Sequence, residues 1–96
     1  MTTLDSVKQT LAQLKPQLQS KYGVSSIGLF GSIVRDDFTA SSDIDIVVDF
    51  DRPIGIEFVH LGDYLEEILK KKVDLVSLGG IKPRYLEVIE PQIQYV

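Results

Sequence analysis

Residues 43–50, DIDIVVDF, limit what this chain can fold into more than any other stretch. Ile44, Ile46, Val48 and Phe50 alternate with Asp43, Asp45, Val47 and Asp49, the period-two pattern of a strand with one apolar face. Aspartate is among the residues that strands tolerate least. Two apart in a strand, Asp43 and Asp45 project from the same face with Cα atoms ~6.6 Å apart. At an effective dielectric of ~20, charges ~6 Å apart repel by roughly 3 kcal/mol. A strand that starts this way needs a cation nearby, and a divalent ion would remove the repulsion. Hard cations prefer carboxylate oxygens, and Mg²⁺ is held by one or two carboxylates together with substrate phosphates. The alternative is a polar, solvent-facing edge whose aspartates bind nothing.

Two further features weigh against that alternative. Asp74, in KKVDLVS, lies in the next expected strand and adds a third carboxylate if the two strands are neighbours. Gly31-Ser32 falls at an expected strand-to-helix turn, where outward N–H groups and a missing side chain let a phosphate approach the backbone. Gly-Ser alone says little; a phosphate turn, a carboxylate pair and a third carboxylate together say much more. Other chemistries fit less well. A calcium loop of the EF-hand kind needs a glycine after its acids, where Ile46 and Val47 stand. In haloacid-dehalogenase-type phosphatases the paired acids follow an apolar strand, whereas here they begin one.

Around this centre the chain alternates helices and strands. Leu4, Val7, Leu11, Leu14 and Leu18 form one apolar helical stripe, with Thr2 and Asp5 as a capping box, Pro16 as a kink or restart and Gly23 as the stop. A strand is expected over 24–30, a short helix over 33–37 with Ser32 as N-cap, and a loop over 38–42. Asp51-Arg52-Pro53 ends the acidic strand. A helix over 57–70 turns Phe58, Leu61, Leu65, Ile68 and Leu69 inward, with Lys70, Lys71 and Lys72 at its C-terminal dipole. A short strand over 73–77, a Gly79-Gly80 turn, a helix over 83–90 and an edge strand over 92–96 complete the chain. The expected class is α/β or α+β, a mixed β-sheet flanked by helices.

The 96 residues fit a single domain, 1–96, with one core. The net charge of −4 argues against long contacts with nucleic acid, which need a basic stripe, but not against a nucleotide bound through a cation. The absence of cysteine excludes disulfides and thiol chemistry. The first residues carry neither a basic leader nor an apolar signal core, and no apolar run reaches the ~20 residues that span a bilayer, so a cytoplasmic location without membrane association is expected.

Phe30-Gly31-Ser32, Arg35 and Ser42-Asp43-Ile44-Asp45, with Asp74 in a later strand, resemble the nucleotidyltransferase superfamily related to DNA polymerase β, and most of all its smallest members, the minimal nucleotidyltransferases (MNT). The resemblance spans the chain end to end. It implies the polymerase β-like fold and transfer of a nucleoside monophosphate from an NTP to a hydroxyl. It also implies two Mg²⁺ ions held by Asp43 and Asp45, with Asp74 a further metal ligand on the nucleophile side, and phosphates gripped at Gly31 and Ser32. Many minimal nucleotidyltransferases are antitoxins paired with HEPN-type toxins, and some add AMP from ATP to a tyrosine of the toxin; this is the function the resemblance favours. Its alternatives are an antitoxin that neutralises by binding alone and transfer to a small-molecule hydroxyl.

Other polar and aromatic residues have plainer explanations. Arg35 is equally suited to a phosphate and to neutralising Asp36, Asp37 or Asp43. Lys82 and Arg84 read first as solvated charge, and as nucleotide or partner contacts second. His60 reads as structural, and Asp49 and Asp51 as strand-end polarity. Tyr22, Tyr64, Tyr85 and Tyr95 read as packing residues, with an apolar partner surface among the last two helices as the alternative.

Overall fold

The computed structural model describes residues 2–96. The leucine stripe builds helix α1, Leu4–Tyr22, whose Val7, Leu11, Leu18 and Tyr22 are buried. Its capping box lies one residue later than expected. Thr3 Oγ1 accepts from Ser6 N at 3.1 Å and Ser6 Oγ accepts from Thr3 N at 3.0 Å. Starting there puts Asp5 in the first turn, where its carboxylate meets the positive end of the helix dipole. Pro16 does not restart the helix, which is continuous. Pro16 and Ala12 are both exposed, so the Ala12 carbonyl that loses its intrahelical donor faces water. Gly23 closes the helix at φ 73°, donating its N–H to Gln19 O.

Strand β1, Val24–Phe30, follows at once, and the DIDIVVDF segment forms β2, Ile44–Phe50, with Asp43 just before it. Helix α2, Glu57–Leu69, leads into β3, Val73–Ser77; helix α3, Pro83–Ile89, precedes the two-residue β4, Gln94–Tyr95. Among the described residues four strands make one sheet in the order β3-β2-β1-β4. β1 pairs antiparallel with β2 and β4, and β2 pairs parallel with β3, so the sheet is mixed, as the alternation predicts.

The pleat sorts the sheet into two faces. Ile44, Ile46 and Val48 of β2 and Ile27 and Leu29 of β1 are buried with Val7, Leu11 and Leu18 of α1 and Leu61 and Leu65 of α2 in one apolar core. Emptying such a site, as in Leu11→Ala, costs ~2–5 kcal/mol. Leu61, Leu65 and Leu69 step by four along α2 and centre its stripe. Ile68, expected to point inward, falls on the flank and is 38% exposed. Phe30, Asp45, Val47, Asp74 and Val76 belong to the opposite face, which carries the polar residues. Val47 is buried there, outside the main core.

Candidate active site

One row across this second face holds two of its acidic residues. Phe30 of β1 is opposite Asp45 of β2, and Asp45 is opposite Asp74 of β3. Paired residues on adjacent strands share a face, with strands ~4.8 Å apart. The structure thus brings Asp45 and Asp74 side by side, with Asp43 one pleat period before Asp45. Asp43 and Asp74 are exposed and Asp45 is partly buried. The lead-in to Asp43 is held by its own turn: Thr39 N donates to Ser42 Oγ at 3.0 Å, and Lys71 Nζ donates to Ala40 O at 2.8 Å.

Gly31 follows directly after Phe30 and is buried, with φ +78°. A Cβ there would overlap Asp45 Oδ2 and come within 2.9 Å of Asp45 Cγ. The position therefore demands glycine twice, for its left-handed backbone and for the carboxylate lying over it. The Gly31 carbonyl accepts from Val34 N at 3.0 Å and Arg35 N at 3.1 Å, closing a 3₁₀ turn over Gly31–Ile33. The helix expected over 33–37 is replaced by this tighter turn. Ser32 sits inside it rather than capping it; the N-cap is Phe30, without a side-chain cap bond. Within such a turn the N–H groups of its first residues find no intrahelical acceptor, which leaves donors for an anion beside Asp45.

The electrostatics of the row are unfavourable to Asp45. Its carboxyl is pushed up to about 6, first by burial, then by the charges of Asp74 and Asp43 and by a hydrogen bond with Asp74; Arg35 pulls it partly back. Arg35 itself donates from Nη1 to Gln92 Oε1 at 3.2 Å and pairs through Nη2 with Asp37 Oδ2 at 3.5 Å. Of the acids considered for Arg35, Asp37 is the one it meets. Its tie to Gln92, 57 positions along the chain, carries no signal in the sequence.

Among the described residues no three carboxylate or imidazole side chains, Asp43, Asp45 and Asp74 included, are grouped so as to hold a metal ion by themselves. The donor set nonetheless suits Mg²⁺, which takes one or two protein carboxylates and completes its shell with water and phosphate oxygens. The excess of carboxylate over cation around Asp45 is the condition that such an ion would relieve. His60 is exposed on α2 rather than packed, and Tyr85 and Tyr95, expected to pack, are 57% and 49% exposed, whereas Tyr22 is buried and Tyr64 packs against the core. Among the described residues no helix is long and apolar enough to cross a membrane.

A family model described as nucleotidyltransferase domain matches residues 11–96. The protein adenylyltransferase MntA of Thermococcus cleftensis is 37% identical over 97 residues, covering 100% of this chain and 98% of that protein. A solved structure provisionally named a minimal nucleotidyltransferase superposes with a TM-score of 0.81 at 26% identity, covering 97% of this chain and 95% of the other. The fold is also that of a chain in the complex of a tri-AMPylated Shewanella oneidensis HEPN toxin with its MNT antitoxin. There the TM-score is 0.70 at 23% identity, over 95% of this chain and 69% of that one.

Proposed function

The chain belongs to the nucleotidyltransferase domain family, and on that premise we propose that it transfers AMP from ATP to a tyrosine hydroxyl of a cognate HEPN-type toxin and so acts as its antitoxin. The observation that carries this is the row Phe30–Asp45–Asp74, which sets two carboxylates side by side against the Gly31 turn. A phosphate turn beside clustered carboxylates suits phosphoryl chemistry and has no use in a plain binding surface.

In this proposal the N–H groups of the Gly31–Ile33 turn and the Ser32 hydroxyl hold the terminal phosphates. Gly31, which has no side chain, lets the Asp45 carboxylate close over the turn and so keeps that carboxylate beside the phosphate-holding N–H groups. Asp43 and Asp45 would hold Mg²⁺, two ions in all, with Asp74 a ligand on the acceptor side. When bound, the ions supply charge neutralisation of the triphosphate and of the leaving pyrophosphate. Asp74, exposed at the strand edge, faces the incoming acceptor. Tyrosine has a pKa near 10, so its proton must be drawn off, and Asp74 is the carboxylate placed to receive it. The phenolic oxygen then bonds to the α-phosphorus as the bond to the bridging oxygen breaks, giving tyrosyl-AMP and pyrophosphate. The phosphate-holding turn and the carboxylates act together because the adjacent strands β1, β2 and β3 anchor them, which keeps the reacting groups in one geometry.

The test mixes the protein with its candidate HEPN partner, ATP and Mg²⁺ and follows the partner by intact-mass spectrometry, with peptide mapping for the site. The expected result is a gain of one or more AMP masses on tyrosine, absent with Asp43→Asn. A partner that is bound and neutralised equally well by Asp43→Asn, and never modified, would establish the binding antitoxin instead.

A further inference from the structure

The pleat that aligns the carboxylates also fixes what lies next to them. One step along the same face, Val47 of β2 is opposite Val76 of β3. Val76 forms the floor of an open groove of about 410 Å³ whose other walls are Ser77, Gly80, Ile81, Lys82 and Tyr85. It begins two residues from Asp74, ~6.6 Å along the strand. The volume falls in the range of small-ligand sites, and such sites combine apolar walls with a few polar groups. Here the apolar walls are Val76, Ile81 and the ring of Tyr85, and the polar groups are Ser77 and Lys82.

We propose that this groove receives the nucleobase of the triphosphate, with Tyr85 as its stacking surface; the inference rests on the nucleotidyl-transfer proposal above. Direction across the sheet argues for it. The Gly31 turn lies on the β1 side of Asp45 and the groove lies on the β3 side. A nucleotide whose terminal phosphates sit at Gly31 and whose α-phosphate sits at Asp45 extends its sugar and base over β3. The two strand spacings from β1 to β3, ~10 Å, separate its ends. Charge argues the same way. The cluster of Asp43, Asp45 and Asp74 is acidic, while the groove contains no carboxylate and has one ammonium, Lys82. An anionic ligand that passes the carboxylates meets no further repulsion there. Tyr85, in the first turn of α3, is 57% exposed and lines the groove, which leaves its ring free for a planar ligand. Stacking on an aromatic ring accepts any base, so discrimination between bases falls to the hydroxyl of Ser77 and the backbone of the Leu78–Gly80 turn.

Titration calorimetry of the full chain with Mg²⁺ tests this by comparing ATP with inorganic tripolyphosphate, which has the charge but no base. Wild type should bind ATP more tightly than tripolyphosphate. Tyr85→Ala should weaken ATP roughly 5- to 100-fold, with tripolyphosphate held within about twofold, and Tyr85→Phe should restore ATP binding. Tripolyphosphate also reports that the variant is folded. Unchanged ATP affinity in Tyr85→Ala overturns the proposal, even if acceptor modification falls, since the groove would then serve the acceptor. Equal loss of both ligands overturns it too. Asp45→Asn separates the premise from the inference. If that variant binds ATP as wild type does, nucleotidyl transfer at this site fails whatever Tyr85 does. If it loses ATP while Tyr85→Ala keeps it, only the base groove fails.

Discussion

Asp45→Asn should make the protein more stable while it removes activity, and the size of the gain follows from the structure. The Asp45 carboxyl rises from 3.8 to about 6 because burial, Asp74 and Asp43 all disfavour its charge. Each pKa unit corresponds to about 1.4 kcal/mol, so the native state is penalised by about 3 kcal/mol at most once the group ionises. Partial exposure lets solvent reduce that to about 1–3 kcal/mol. The sign is that of a raised native pKa. Below about pH 4 both states hold the proton and nothing is lost; as pH rises to about 6 the unfolded chain ionises first, and stability falls to a plateau. Asparagine keeps the shape without the charge. In EDTA at pH 7.5, Asp45→Asn should therefore melt roughly 5–20 °C higher than wild type, and the difference should shrink towards zero at pH 4. Thermal melts across that range measure both, and a labelled-ATP assay measures the lost transfer. A variant no more stable at pH 7.5, or equally advantaged at pH 4, would refute the account of Asp45 as a strained carboxylate.

Gly31→Ala should lose roughly 1–3 kcal/mol from its backbone at φ +78° and, by displacing the carboxylate it overlaps, ~100-fold in catalytic efficiency. Ser32→Ala keeps the backbone and should lose only ~2- to 10-fold; a serine variant worse than the glycine variant would reverse the two roles. ATP at ~100 times its dissociation constant should stabilise the wild-type protein by ~2.7 kcal/mol with Mg²⁺ and much less with EDTA. Equal stabilisation in both would put the nucleotide somewhere other than the carboxylate row.

Periodicity made the elements legible. The leucine stripe of α1, the alternation in β2 and the apolar run of β3 each name their own secondary structure, because local spacing sets which side chains share a face. Local spacing is silent where two starts compete, as with Thr2 and Thr3, or where solvent decides, as with the tolerated Pro16. It is silent also about long-range partners. Whether Asp74 joins Asp43 and Asp45 depends on strand adjacency, which local spacing leaves open, and the parallel pairing of β2 with β3 supplies the register that puts Asp74 beside Asp45. That Gly31 sits in a turn is legible in the sequence, but not the carboxylate above it, which depends on Phe30 pairing with Asp45. Aromatic content suggested packing for all four tyrosines. A sheet covered by helices on one face left Tyr85 and Tyr95 outside the core, because the second face holds the acidic row and the groove.

The acidic row has a consequence for the choice between enzyme and binding antitoxin. Asp45 makes the ligand-free protein less stable than a single neutral substitution would, and the chain has only a small core from which to offset the loss. A protein that neutralised its partner by contact alone would draw on exposed surface, such as Val88 and Tyr95, and would gain nothing from a carboxylate half-buried beside two others. A nucleotidyltransferase gains directly. On the proposed function, the repulsion around Asp45 would become attraction for cations once a triphosphate arrives, so the carboxylate that lowers stability would also make nucleotide binding depend on metal. On the proposed function, stability and activity are opposed at Asp45, so its substitution by asparagine, expected to be more stable and inactive, separates the two explanations more cleanly than a variant that damages both.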